Sequence, residues 1–333
     1  MIEPIRVAIT FKVDDEVIHQ IEAVDPRVKV VDFPRIVLAQ GSALSEAQIE
    51  EAKAALSGVE VIFGPNTLPP AIVDSAKDLK WFQTITAGVD RMAADGMLTD
   101  RYVITKVSGL ASVAIAEYVI GAMVMLAKGL HGSVRDQQEH KWSFRFTSEL
   151  PGKTCGIIGL GAIGRETAKR ARAFGMRVVA TRRRPGENEG DPDCDALFPH
   201  SELTRVLQES DYVVLCVPLT DETRHLIGAE ELKAMKPTAS LINIARGGVI
   251  DQEALYAALT DGTIASAALD VFEPEPLPAE SPFWDLPNVI VTPHISGAVE
   301  GYGHRAAAIF VANLRRYVAG EPLENVVDPV LAY

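Results

Sequence analysis

The stretch "TCGIIGLGAIGRETAKRARAFGM" constrains this chain more than any other. An apolar run ends in Gly159-x-Gly161-x-x-Gly164 and passes straight into a helical pattern. A strand, a glycine turn and a helix in that order use glycine for the tight turn, for close approach of a ligand to the backbone, and for close packing of helix on strand. A helix entered this way offers unpaired N–H groups and the positive end of its dipole to phosphate. The segment therefore predicts a βαβ dinucleotide-binding unit, and with it a mostly parallel sheet covered by helices on both faces.

The same rhythm runs from end to end. "RVAIT", "VEVIFG", "WFQTITAG" and "YVITKV" read as strands in the first third, and "TCGIIG", "RVVAT", "DYVVLCV", "SLINIA", "IASAALD" and "NVIVTP" in the second half. Helical patterns lie between and around them, at 45–56, 112–130, 166–174, 252–259 and 303–319. Apolar strands without clean alternation belong to parallel sheets buried on both sides. The expected architecture is α/β, with two Rossmann-like or flavodoxin-like doubly wound parallel-sheet domains; 333 residues suit two domains of about 150 each. The glycine fingerprint does not open the chain, so its domain is expected as an insertion. Residues 106–298 would form the dinucleotide-binding Rossmann domain, and 1–105 with 299–333 the substrate domain.

Composition narrows the function classes. A net charge of −13 argues against nucleic acid as the main partner. Cys155, Cys194 and Cys216 are far apart, with neither a Cys-x-x-Cys pair nor metal-ligand spacing, so no metal is expected and the thiols suit a reducing compartment. The N-terminus lacks the pattern of a signal peptide, and the apolar run "YVIGAMVMLA" is too short for a bilayer, which needs about 20 residues. A cytoplasmic protein without a membrane partner is expected.

Two further groupings carry chemistry. About 20 residues after the glycines, an NAD-binding unit places an acid on the adenine ribose. Here the strand "MRVVAT" ends at Thr181 and is followed by Arg182, Arg183 and Arg184. A guanidinium matches a 2′-phosphate with a two-pronged bond, so NADP(H) is the expected cofactor, with NAD(H) possible. In the second half, Arg246 follows one strand, Asp270, Glu273 and Glu275 another, and His294 a third. The carboxyl ends of parallel strands line the ligand crevice. An Arg, an acid and a His gathered there suit reduction of a 2-oxo acid: the Arg polarises or holds, the His donates a proton, and the acid raises the His pKa.

These pieces resemble the D-isomer-specific 2-hydroxyacid dehydrogenase family. "GIIGLGAIGRETAKRARAFGM", "VPLTDETRHLI", "INIARGGVIDQEAL", "ALDVFEPEPLP" and "LPNVIVTPHISG" carry the resemblance over most of residues 152–297, and "WFQTITAGVDR", "AEYVIGAMVMLAKGL" and Trp142 extend it. The resemblance implies Arg246, Glu275 (rather than Glu273) and His294 as the catalytic set. It implies Ala87, Gly88 and Val89 as the substrate-carboxylate loop. For the cofactor it implies Gly159, Leu160, Gly161, Ala162, Ile163 and Gly164, then Thr181 with the arginines, then Val217, Pro218 and Thr223. Ile244, Ala245, Arg246, Asp270, His294 and Gly297 complete that set. Arg182 resembles the NADPH-preferring glyoxylate and hydroxypyruvate reductases, and Ser296 stands where many members have Ala. The expected activity is NADPH-dependent reduction of glyoxylate or hydroxypyruvate to a D-2-hydroxy acid, by a homodimer joined through its cofactor domains. The alternatives are an NAD-dependent dehydrogenase of D-3-phosphoglycerate or another D-2-hydroxy acid, and a dinucleotide-sensing corepressor-like binding protein. A phosphoglycerate substrate is disfavoured because no regulatory C-terminal domain is expected after the last helix. A formate dehydrogenase is disfavoured because its resembling members carry Gln where Glu275 stands.

Overall fold

The structure, a computed structural model, describes residues 3–31, 33, 44–183, 191–329 and 331. The chain forms two compact units: residues 1–110 with 300–333, and the intervening residues 111–299.

The first unit is built on a five-stranded parallel sheet of β1 (Ile5–Ile9), β2 (Val28–Val31), β3 (Val61–Gly64), β4 (Trp81–Thr84) and β5 (Val103–Thr105), in the order β2-β1-β3-β4-β5. This is the flavodoxin-like doubly wound order. Every residue of β3 and β4 is buried, as expected of strands covered on both faces. One cover is the last helix, Tyr302–Ala319, whose Phe310 stacks on Phe63 and Trp81 at 4.4 and 5.1 Å between ring centroids. A buried polar chain ties that helix to the sheet. Trp81 Nε1 donates to Thr105 Oγ1 at 2.7 Å, Thr105 Oγ1 donates to Gln83 Oε1 at 2.7 Å, and Asn313 Nδ2 donates to the same Gln83 oxygen at 3.2 Å. A polar side chain inside a sheet core is tolerated only when satisfied in this way.

The second unit holds a seven-stranded sheet of β6 (Thr154–Ile158), β7 (Arg177–Arg182), β8 (Ala196–Pro199), β9 (Tyr212–Leu215), β10 (Ser240–Asn243), β11 (Ser266–Leu269) and β12 (Val289–Val291). Its order, β12-β11-β10-β9-β6-β7-β8, is the Rossmann order with one added strand, and all pairings are parallel. The loops after β6, β7, β9, β10, β11 and β12 therefore emerge on one edge. Helix Ala162–Ala173 follows β6, and helix Ser112–Ala127 packs against it, with Val119, Met123, Ala168 and Ala171 in one buried cluster.

Three details differ from the sequence reading. β2 and β8 had no assigned run; both are four-residue edge strands. The helical stretch 112–130 breaks: Gly129 takes a left-handed backbone (φ +61°), and a second helix, Leu130–Gln138, departs at 69°. Among the described residues no single helix is long and apolar enough to cross a membrane.

Candidate active site

The glycine loop has the shape that a dinucleotide pyrophosphate requires. Gly159 sits at φ +102°, and a Cβ there would lie 2.9 Å from the carbonyl oxygen of Cys216. A Cβ on Gly164 would lie 2.5 Å from the Gly159 oxygen, so the helix packs on the turn only because that atom is missing. Gly161 is different: nothing lies within 4 Å of where its Cβ would be, so the backbone at the head of helix Ala162–Ala173 is open to a ligand. Leu160 N–H is turned back onto Thr181 O at 3.0 Å, which joins the loop to the end of β7. The first amides of a helix have no partner within it, and here they are those of Ala162, Ile163 and Gly164. Val217 lies against Gly159, and the turn after β9 is shaped by Thr223, whose hydroxyl donates to Pro218 O at 2.6 Å. These residues fit a bound dinucleotide.

The arginine run meets carboxylates. Arg182 closes β7 and is exposed. Arg183 Nη2 lies 2.7 Å from Glu222 Oε2 on the loop after β9. Arg184 lies outside the described residues. Beside them Arg165, in the first turn of the glycine-loop helix, grips Asp191 with both Nη atoms and reaches Asp193 at 2.7 Å. The hydrogen bond from Arg165 holds the Asp191 carboxyl below the usual range, with help from the Arg182 charge. The sequence reading did not single out Arg165, Asp191, Asp193 or Glu222; in one dimension they read as an ordinary scatter of surface charge.

The three loops after β10, β11 and β12 carry Arg246, Glu273 with Glu275, and His294. Asn243, the last residue of β10 and almost fully buried, folds the Arg246 turn: its Nδ2 donates to Arg246 O at 2.9 Å and its Oδ1 accepts from Ala245 N at 3.0 Å. Ile244 and Ala245 are buried beneath the turn. Its signal was a polar residue ending an otherwise apolar strand, "SLIN". Of the two acids after β11, Glu273 turns to Arg224, at 3.1 Å, and Glu275 turns to His294. Glu275 Oε2 is 2.8 Å from His294 Nδ1, while Oε1 accepts from Phe272 N at 3.0 Å. An ionised carboxylate only accepts, so Nδ1 carries a hydrogen and Nε2 is the nitrogen left to face a ligand. The bond to Glu275 pushes the His294 pKa up, burial and the Arg246 charge oppose, and the net direction is upward. Burial pushes the Glu275 carboxyl up, but the bonds from His294 and Phe272 N–H and the charges of His294 and Arg246 carry it below the usual range.

Asp270 is buried and holds the His294 loop. Its Oδ1 accepts from Ile295 N at 2.9 Å and Oδ2 from Ser296 N at 2.9 Å; its backbone carbonyl accepts from His294 N at 2.8 Å. Gly297 follows, against Ala111 and Ile115. His294 itself has φ +54°, a left-handed backbone that a residue with a side chain keeps only when its neighbours impose it. In the first unit, Ala87, Gly88 and Val89 follow β4. Gly88 O accepts from Asn66 Nδ2 at 3.2 Å and Thr86 Oγ1 at 2.9 Å, and since a trans peptide sets C=O and N–H on opposite sides, the Val89 amide is turned away from those partners.

A Rossmann-type unit with an Arg, a Glu–His pair and a glycine loop on one sheet edge defines a nicotinamide-dinucleotide oxidoreductase. The chain belongs to the D-isomer-specific 2-hydroxyacid dehydrogenase family: the family's NAD-binding-domain model matches residues 120–296. A glyoxylate/hydroxypyruvate reductase B of Pectobacterium atrosepticum is 36% identical over 310 residues, which is 90% of this chain and 96% of that one. A D-3-phosphoglycerate dehydrogenase of Methanocaldococcus jannaschii is 35% identical over 263 residues, covering 77% of this chain; the match spans about half, 49%, of that longer protein. Among solved structures, a D-isomer-specific 2-hydroxyacid dehydrogenase of Xanthobacter autotrophicus, in complex with NADPH and MES, is similar at a TM-score of 0.81, with 31% identity over 99% of this chain and all of that one.

Proposed function

We propose that this protein reduces small 2-oxo acids, with glyoxylate and hydroxypyruvate foremost, to D-2-hydroxy acids, and that it prefers NADPH to NADH. The observation that carries the reading is the His294–Glu275 pair at 2.8 Å, with the Arg246 charge acting on both members. A dinucleotide held at the glycine loop of Gly159, Gly161 and Gly164 would supply the hydride for the carbonyl carbon. His294, kept protonated by Glu275, gives the Nε2 proton to the carbonyl oxygen as negative charge grows there. Arg246 attracts the developing oxyanion or the carboxylate. The peptide amides of Gly88 and Val89 serve as donors to the carboxylate. Phosphate selection falls to Arg182, Arg183 and Arg184, supported by the NADPH named for the Xanthobacter structure.

A homodimer is proposed through the segment after helix Ser112–Ala127. Helix Leu130–Gln138 buries no residue, and beyond it Trp142, Phe144 and Phe146 are 101, 82 and 94% exposed. Three neighbouring bare aromatics on one arm are what an unfilled protein interface looks like.

The test is steady-state kinetics with NADPH and NADH against glyoxylate, hydroxypyruvate and pyruvate, and in reverse with D-3-phosphoglycerate and NAD. We expect the highest kcat/KM with NADPH and one of the first two acids. Equal efficiency with NADH defeats the cofactor assignment. Preference for phosphoglycerate with NAD defeats the substrate assignment. Negligible turnover with tight dinucleotide binding favours a sensing protein.

A further inference from the structure

Helix Ser112–Ala127 sends one phenol to the loop that carries His294. Tyr118 is half-buried, with its hydroxyl 2.8 Å from Thr292 Oγ1, and Thr292 Oγ1 donates to Asp270 Oδ1 at 2.5 Å. A threonine hydroxyl has one proton, and this one goes to the carboxylate. Tyr118 must therefore be the donor to Thr292. Burial pushes the phenol up to about 12, so it keeps that proton across the ordinary pH range.

The chain of bonds from Tyr118 through Thr292 ends on the carboxylate from which the rest of the loop hangs. Ile295 N–H and Ser296 N–H occupy Asp270 Oδ1 and Oδ2, and His294 N–H occupies the Asp270 carbonyl. The left-handed His294 lies between those anchors. A carboxylate free to rotate about its own bond would release one amide or the other. The Thr292 hydroxyl, itself oriented by Tyr118, removes that freedom.

We propose that Tyr118 and Thr292 are positioning residues for His294, fixing Asp270 in the orientation that sets the imidazole against Glu275. The inference rests on the reading of His294 as proton donor for its catalytic consequence, and on the loop geometry alone for its structural one. The charged groups that face His294 are Glu275, Arg246 and Asp270; the contact with Glu275 raises its proton affinity most, so loosening the loop lowers that affinity.

The experiment compares Thr292→Val, Thr292→Ser and Tyr118→Phe with the wild type. The His294 ring is titrated directly by NMR on histidine-labelled protein, assigned among the seven histidines by His294→Ala. The pH profile of kcat/KM and the Tm are measured alongside. Thr292→Val should bring the His294 midpoint down, move the alkaline limb of reduction with it, and lower kcat/KM by roughly tenfold, as expected when a proton donor is slightly misplaced. Tyr118→Phe should do the same to a smaller extent, and Thr292→Ser should restore wild-type behaviour. An unmoved midpoint in both Thr292→Val and Tyr118→Phe overturns the proposal, whatever happens to Tm. If Thr292→Val does not fold, Tyr118→Phe alone decides. Wild-type turnover by His294→Ala defeats the proton-donor reading instead, and the ring titration still decides the positioning.

Discussion

Two stretches on the same edge of the Rossmann sheet are held in opposite ways. The loops after β10, β11 and β12 are fixed by short bonds to buried groups: Asn243 folds the Arg246 turn, and Asp270 carries the His294 loop. At the end of β7, Arg183 meets Glu222 in an ion pair at the surface. Arg183 and Glu222 are 37 and 74% exposed. Buried bonds to a charged group keep their strength in salt, whereas exposed pairs contribute little and are screened. The difference divides the labour. The end proposed to make and break bonds is held in fixed geometry, and the end proposed to select the cofactor phosphate presents charges that can exchange partners.

The largest effect should come from emptying the rigid end. His294→Ala should lower kcat/KM by roughly 10²–10⁴-fold at every pH, the range for a lost general acid; a profile that keeps its alkaline limb would show that another group donates the proton. Next are the two acids after β11, which differ only in where they turn. Glu275 raises the His294 pKa, so with His294 as the proposed proton donor reduction should be fully active below that pKa and lost as pH rises through it. Glu275→Gln removes the charge that raises it, so the alkaline limb should move to lower pH while much of the rate on the acid side survives. Glu273→Gln breaks only the exposed pair with Arg224 and should leave that limb in place. Measured side by side, the two profiles decide between the acids, and the reverse result would exchange their roles.

Smaller effects belong to the exchangeable end. Arg182→Asp should cut the NADPH preference by about tenfold or more, since a charge-assisted bond to phosphate contributes about 1.5–3 kcal/mol; a cofactor ratio equal to that of the wild type would move the phosphate site elsewhere. The smallest change is reversible. Raising salt from about 50 to about 500 mM should raise KM for NADPH several-fold and KM for NADH by less, because both cofactors share the pyrophosphate charge and only NADPH adds the 2′-phosphate pair that salt screens. Parallel rises for both cofactors would mean that the selectivity does not come from charge.

The same division governs what could be read from the sequence. Strands buried on both faces announce themselves as apolar runs, and the glycine loop as a spacing, so the inserted α/β architecture was legible. β2 and β8 were not: Lys29 interrupts the apolar run of β2, and Pro199 ends the short run of β8. At the site, residue types alone placed both Glu273 and Glu275 after β11. The choice between them came from family resemblance, and the structure turns Glu275 to His294. Asp270 was expected among the cofactor-binding residues. Its bonds to Thr292, Ile295 and Ser296 depend on a left-handed turn that no spacing reveals. The pairs Arg165–Asp191 and Arg183–Glu222 join residues 26 and 39 positions apart, and charge in a sequence does not say which partner it will meet.

The polar chain through Trp81, Thr105, Gln83 and Asn313 has a consequence for the chain as it is made. The helix that brings Asn313 and Phe310 to the first sheet is encoded after the whole of the inserted unit. A ribosome adding about 5–20 residues per second needs roughly 10–40 s to cross that insertion. For that interval β3 and β4 exist without one of their covers, and Phe63, Trp81 and the amide of Gln83 lack partners that they later bury against. Meanwhile the second unit, continuous from 111 to 299, can complete its own core. The order of synthesis thus has the Rossmann unit finish first, and leaves the first-made sheet as the part of the nascent protein that most needs shielding.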